Sequence, residues 1–327
     1  MLRRSCEVLL IGWALLASAG VPAAQADLGE ARQLFKQAYE EVGSTRGGRR
    51  SADSEALRAY PLYPYLQAAR IRRALEDVKG ELGSVDQRAQ TFTTYHDDAP
   101  VGRALRRVWL TSLAERRHWA TFLEHYREDV ADEALECQSF TARIETARTS
   151  DLVPDITRRW LTPRSLQECH DAFEWLRAQN ALTVELVEQR VRLALSENNW
   201  TFAREIAASL AAERAAPLQQ WAALLEQPLR QIDILIAAPE KSVESEALLA
   251  GWTGLARTNR DAAVRRYESF VRSRRLTDET ASPYALALAL ALAWDRHPEA
   301  LRYFERVVPR DFDDYALEWR ARAAVWA

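Results

Sequence analysis

Apolar residues recur every three to four positions along nearly the whole chain, and almost no stretch alternates with period two. That spacing marks helices that bury one face. Glycine and proline number only 11 and 12 in 327 residues, so the helices must be joined by short turns. The chain therefore reads as all-α. Predicted helices run from Leu28 to Val42, with Ala31, Leu34, Phe35, Ala38 and Tyr39 on one face, and from Pro61 or Pro64 to Leu75. Others cover Val85 to Tyr95, Pro100 to Ala114 with Leu105, Val108, Trp109 and Leu113 in a stripe, Trp119 to Tyr126, and Thr149 to Leu161. Ser165 is the expected N-cap of a helix through Leu176, with Glu168 completing a capping box. Gly43–Arg50 is a break rich in Gly and Arg. Most of the 11 Trp sit at helical spacing beside Leu and Ala. Trp109 and Trp175 are expected core residues, each worth about 3–5 kcal/mol on truncation to Ala.

The second half carries degenerate repeats. The segment 260–270 resembles 297–307, with Ala263 aligned to Ala300, and 199–207 is a weaker third copy. The spacing is close to that of a tetratricopeptide-like helix pair. The copies differ too much for a regular array, so the expected architecture is an irregular right-handed superhelix, or solenoid, of helical hairpins in one continuous domain, residues 27–327.

The first 26 residues have the layout of a secretory signal peptide. Arg3 and Arg4 precede an apolar stretch from Val8 to Leu16, and Ala24-Gln25-Ala26 has the small-x-small form of a cleavage site. Cys6 lies in the basic region and leaves with the signal. No later stretch is long and apolar enough for a membrane span. The longest, Tyr284 to Trp294, reads as a buried helix. The expected product is a periplasmic protein with no transmembrane anchor.

Export bears on the cysteines. Cys137 and Cys169 are the only ones beyond the signal, each at the edge of a helical pattern. They are read as a disulfide, which suits an oxidising compartment and is worth roughly 3–4 kcal/mol for a loop of this length. Two buried free thiols are the other reading.

Function classes fall away on chemistry. A formal net charge of −3 argues against a general nucleic-acid binder. Arg far outnumbers Lys, which occurs only at Lys36, Lys79 and Lys241. None of His96, His118, His125, His170 and His297 has zinc-ligand spacing with another His or Cys, so no metal is expected. No Gly-rich phosphate loop or nucleophile elbow is present, and no cofactor is expected. Glu244-Ser245 and Glu268-Ser269 are Glu-Ser pairs, but a catalytic acid needs burial to raise its pKa, and both read as solvated surface. No catalytic residue is assigned, and the substrate-binding residues stay open.

Three motifs in order carry a family resemblance. They are Tyr60-Pro61-Leu62-Tyr63-Pro64-Tyr65-Leu66; the segment Leu105–Ala114 followed by Trp119-Ala120-Thr121-Phe122-Leu123; and Cys137 followed by Trp160-Leu161-Thr162, Cys169, Phe173 and Trp175. Together they resemble the soluble lytic murein transglycosylases over essentially all of 27–327. The resemblance implies a U-shaped superhelix of peptidoglycan turnover, partnered by glycan strands and by its own C-terminal lysozyme-like catalytic domain. In such enzymes one Glu serves as acid and then base. The muramyl 6-hydroxyl attacks within the same strand, cutting the β-1,4 bond between N-acetylmuramic acid and N-acetylglucosamine and leaving a 1,6-anhydro end.

The chain departs from the family where the chemistry lies. The Glu-Ser in an Arg-Gln-Glu-Ser context is absent, as is the Gly-Leu-Met-Gln segment, Met1 being the only Met. The last helical pattern, from Asp313, runs into Ala327 without a capping Gly. The expectation is that the catalytic domain lies outside this sequence and that the chain alone is inactive. A secreted helical-repeat scaffold binding proteins or glycan without catalysis is the alternative. The reading frame past Ala327 separates the two.

Overall fold

The computed structural model describes residues 23–44 and 52–326. Arg3, Arg4, Cys6 and the apolar Val8–Leu16 of the expected signal lie outside the described residues, as does most of the Gly- and Arg-rich break. Eighteen α-helices and two short 3-10 turns account for all regular structure among the described residues, with no strand. No described helix is long and apolar enough to cross a membrane. The all-α expectation holds.

The helices gather into two compact units, divided after Thr146. The first holds α1 (Ala23–Gly43), α2 (Glu55–Arg58), α3 (Tyr63–Glu76), α4 (Ser84–Tyr95), α5 (Pro100–Glu115), α6 (Trp119–His125) and α7 (Glu133–Glu145). Starts follow local chemistry. Asp132 caps α7 by accepting from the Leu135 amide at 3.0 Å, and Pro100 opens α5, where a missing N–H costs nothing. Val42, Leu57, Leu66 and Ala69 join α1, α2 and α3. A larger core around Trp109, Leu110, Leu113 and Phe122 joins α3 through α7.

The second unit holds α8 (Leu152–Trp160), α9 (His170–Ala178), α10 (Val184–Ser196), α11 (Trp200–Ala207), α12 (Ala212–Glu226), α13 (Pro228–Ala237), α14 (Ser245–Thr258), α15 (Arg260–Ser273), α16 (Asp278–Trp294), α17 (Ala300–Phe304) and α18 (Asp314–Trp326). From α10 on, the even-numbered helices pack in sequence, α10 on α12, α12 on α14, α14 on α16 and α16 on α18. The intervening helices sit beside them as the other limb of each hairpin. The three sequence copies fall on α11, α15 and α17, all in that second row. Ala263 and Ala300 are both fully buried, which explains their match. The copy on α13 is unrecognisable in sequence. Trp252 centres this core, stacking on Phe270 with ring centroids 4.6 Å apart and donating to the Tyr284 carbonyl at 2.9 Å.

Two sequence expectations need correction. Ser165 does not cap a helix. A 3-10 turn covers Gln167–Cys169 and α9 begins only at His170. The segment ahead of that turn is held extended by side chains from α10 and the start of α11. Arg190 donates to the carbonyls of Thr162 at 3.3 Å and Arg164 at 3.0 Å, and Asn199 donates to that of Pro163 at 3.1 Å. Arg190 itself is buried among Trp160, Phe173 and Phe202, its guanidinium 4.1 Å from the Trp160 ring centre. Burial pulls its pKa down to about 10, so it stays charged at neutral pH. Second, Trp175 is only half-buried, and its truncation should cost less than that of Trp109, which is 1% exposed.

Five of the helices close without glycine. Arg117, Asn180, Asn198, Arg275 and Arg296 all have positive φ, between 51 and 60°. Each follows a helix and is locked by two backbone bonds. After α5 the Arg117 amide donates to the Ala114 carbonyl at 3.0 Å and the His118 amide to that of Leu113 at 2.9 Å. The same pair recurs at Asn180–Ala181, Asn198–Asn199, Arg275–Leu276 and Arg296–His297. This closure normally takes Gly at the left-handed position, because a side chain there costs roughly 1–2 kcal/mol. Arg117→Gly and Arg275→Gly are therefore each expected to stabilise the protein by about 0.5–1 kcal/mol. Urea unfolding midpoints measure this. Unchanged or lowered midpoints would show that the Arg side chains contribute more than the strain they carry.

Candidate functional site

In the first unit the facing sides of α3 and α4 form a groove of roughly 850 Å³. One wall is Tyr63, Gln67, Arg70 and Ile71 of α3. The other is Ser84, Gln87, Arg88, Thr91, Phe92 and Tyr95 of α4, closed by His96. These positions recur at three- and four-residue intervals, so each helix presents one continuous stripe. The lining mixes amides, hydroxyls and guanidinium groups with aromatic rings, and no carboxylate lies in it. Tyr95 stands at the rim, 83% exposed. Its ring meets the edge of His96 at 4.8 Å, and His96 in turn packs on Phe92 at 4.4 Å.

Both walls are anchored by arginine–carboxylate forks. On α3, Arg70 grips Asp53 with two bonds of 2.6 and 2.9 Å, and the Tyr63 hydroxyl donates to the same carboxylate at 2.8 Å. The Arg70 bonds above all, then Tyr63, hold Asp53 below its usual pKa against the opposing effect of burial. On α4, Asp86 is 5% exposed. It accepts from Arg116 at 2.6 and 3.2 Å, from the Trp109 indole at 2.9 Å and from the Gly83 amide at 3.0 Å. Burial pushes this carboxyl up, and those donors outweigh it and hold it below its usual value. A third arginine, Arg106 of α5, donates to the carbonyls of Thr93 and His125 and to Asp97. That bond set fixes the end of α4 against α5 and α6. Here the helices nearly touch: a Cβ on Gly102 would lie 1.9 Å from the His96 carbonyl oxygen.

The residues singled out from sequence lie elsewhere. Glu244 precedes α14 and is forked by Arg192 at 2.6 and 2.8 Å, which holds its carboxyl below the usual range. A general acid near neutral pH needs the opposite shift. Glu268, on α15, is half exposed and paired with Arg306 at 2.6 Å. Cys137 on α7 and Cys169 at the end of the first 3-10 turn are both fully buried and both disulfide-bonded. No cluster of His, Cys, Asp and Glu among the described residues is arranged to hold a metal ion. Sequence reasoning did not find the groove. Its one visible trace is the polar stripe Ser84, Gln87, Arg88, Thr91 and Tyr95, which looks like any solvated helix face.

Comparison with known proteins gives a consistent picture. No family model matches the chain. The soluble lytic murein transglycosylase of Salmonella typhimurium is 23% identical over 266 residues, 81% of this chain and 38% of that protein. Its Escherichia coli K12 counterpart is 26% identical over 161 residues, 48% of this chain and 24% of that protein. Among solved structures, an inactive mutant of the lytic transglycosylase Slt from Pseudomonas aeruginosa superposes with a TM-score of 0.63 at 23% identity, covering 90% of this chain and 47% of that one. The 70 kDa soluble lytic transglycosylase Slt70 of Escherichia coli gives a TM-score of 0.62 at 18% identity, covering 92% and 45%. The structural likeness is one of fold, and the chain spans less than half the length of these relatives.

The Asp86 fork yields a pH-dependent expectation. A carboxyl whose folded pKa is depressed contributes its full stability above the unfolded value of about 3.9. That contribution is lost as pH falls through the folded value. Asp86→Asn leaves Arg116 buried without a counter-charge, so it should destabilise the protein by about 3–5 kcal/mol at neutral pH. The deficit relative to wild type should shrink below about pH 4. Urea titrations of both proteins at neutral and acid pH check this, and a deficit independent of pH would refute it.

Proposed function

We propose that this chain, a member of the soluble lytic murein transglycosylase family, forms the U-shaped superhelical part of a periplasmic enzyme that cleaves peptidoglycan glycan strands. The reaction breaks the β-1,4 bond between N-acetylmuramic acid and N-acetylglucosamine. The leaving sugar oxygen takes a proton from a glutamic acid as the C1–O bond breaks, the muramyl 6-hydroxyl oxygen bonds to its own C1 and gives its proton back to the same glutamate, and a 1,6-anhydro end results. The observation that carries this reading is the match over 266 residues to an enzyme of that name, supported by the shared all-helical fold.

The acid is assigned to a lysozyme-like domain outside these 327 residues. Of the two Glu-Ser pairs in this chain, Glu244 is locked by Arg192 and Glu268 is half exposed beside Arg306. Both side chains are open to solvent and paired with arginine, whereas the acid that serves the leaving oxygen must be shielded. Export to an oxidising compartment accords with the disulfide chemistry at Cys137 and Cys169, and these two are proposed as partners of each other.

Two measurements test this reading. The chain alone, incubated with peptidoglycan sacculi, is expected to release no 1,6-anhydromuropeptides. Joined to the catalytic domain of a family member, it is expected to release them. Release by the chain alone would return the acid to Glu244 or Glu268. For the cysteines, peptide mapping of unreduced exported protein should recover a Cys137–Cys169 cross-linked peptide, and stoichiometric alkylation of both thiols without reduction would exclude the pair.

A further inference from the structure

We propose that the groove between α3 and α4 is a binding site for peptidoglycan glycan, remote from any catalytic acid. The Tyr95 ring would lie against a sugar face and Arg88 would meet a muramyl or stem-peptide carboxylate. This rests on the family reading and adds a place on the chain where the strand is held.

The chemistry of the lining selects the ligand. Sugar rings present weakly positive C–H groups on one face, which suit the negative face of an exposed aromatic ring. Tyr95 is the most exposed aromatic side chain among the described residues, at 83%, and His96 and Phe92 back it. Hydroxyl and acetamido groups each donate and accept hydrogen bonds. Gln67 and Gln87 line the groove with side chains of the same dual character, and the Thr91 hydroxyl, which donates to the Gln87 carbonyl at 2.9 Å, can still accept. Arg70 is neutralised by Asp53 below. Arg88 is exposed with no carboxylate partner among the described residues, so one cation is left for an acidic substituent. The α4 wall from Ser84 to Tyr95 runs about 16 Å at 1.5 Å per residue, room for a short run of pyranose rings. A nucleic acid would need several unpaired cations along such a track, and the groove has one.

Other hollows fit less well. The cavity of roughly 400 Å³ beside Trp294 and Tyr315 also has rings. There the Trp294 indole N–H donates to the Tyr315 hydroxyl at 3.0 Å, so their polar edges already serve each other. The smaller hollow beside Tyr39 and Tyr65 is walled mainly by Ala, Val, Leu and Pro.

Calorimetric titration of the purified protein with two probes tests the site. One probe is chitotetraose, a neutral N-acetylated sugar. The other is soluble glycan strands with stem peptides. Both are expected to bind. Tyr95→Ala should weaken both about tenfold. Arg88→Ala should weaken only the carboxylate-bearing strands, about threefold at low salt and less at high salt. Both positions are exposed, so the circular dichroism melt should not move. If glycan binds and Tyr95→Ala does not weaken it, the groove is not the site, while the family reading stands. If wild type binds neither probe, the groove proposal is also overturned. The sacculus assay on the chain joined to a catalytic domain then reports separately on the enzyme reading.

Discussion

Everything in this fold depends on helices that stop abruptly and turn back at once. A helix leaves its last carbonyls without partners, and a hairpin solenoid must satisfy them in very few residues. Here five helices solve this with a single left-handed residue and two backbone hydrogen bonds, at Arg117, Asn180, Asn198, Arg275 and Arg296. The next helix begins two to four residues later in all five. The direction of these five hairpins is thus set by backbone closure, and the apolar stripes then select which faces meet.

Arginine holds what the turns bring together. Arg70, Arg116 and Arg106 anchor the helices of the first unit through carboxylates and carbonyls. Arg190, in the second, ties an extended segment to an aromatic box with no carboxylate at all. A guanidinium offers five donors in a flat fork and stacks on rings, which an ammonium cannot do. The scarcity of lysine is therefore structural in part: at these positions a point charge would leave carbonyls or carboxylate oxygens unmatched.

The amphipathic period made the helices legible, and the Pro at the start of α5 made that start legible. These are local signals, carried by residues within one turn of each other. What stayed hidden depends on residues far apart in sequence. The Ser165 capping box looked sound, yet the chain there makes a 3-10 turn, and the segment ahead of it is tied to Arg190 and Asn199, more than twenty residues on. The helix ends were hidden because Arg occupies left-handed positions where Gly would have marked them. Of the groove, Tyr60–Leu66 drew notice only as a helix start and a family motif, and the polar face of α4 gave no sign that it faces another wall. A groove is a property of two helices, and neither sequence stripe states its partner.

The closed turns also have a mechanical consequence. A loop with slack acts as a hinge, and a unit built on such loops bends at one place. Turns fixed by paired backbone bonds have little free torsion, so load across them must pass into the side-chain contacts between neighbouring helices. The second unit, which holds four of the five, should then flex as a leaf spring does, by small slips shared among many layers. A strand pulling on such a body would meet resistance that rises smoothly with displacement, with no single joint to give way.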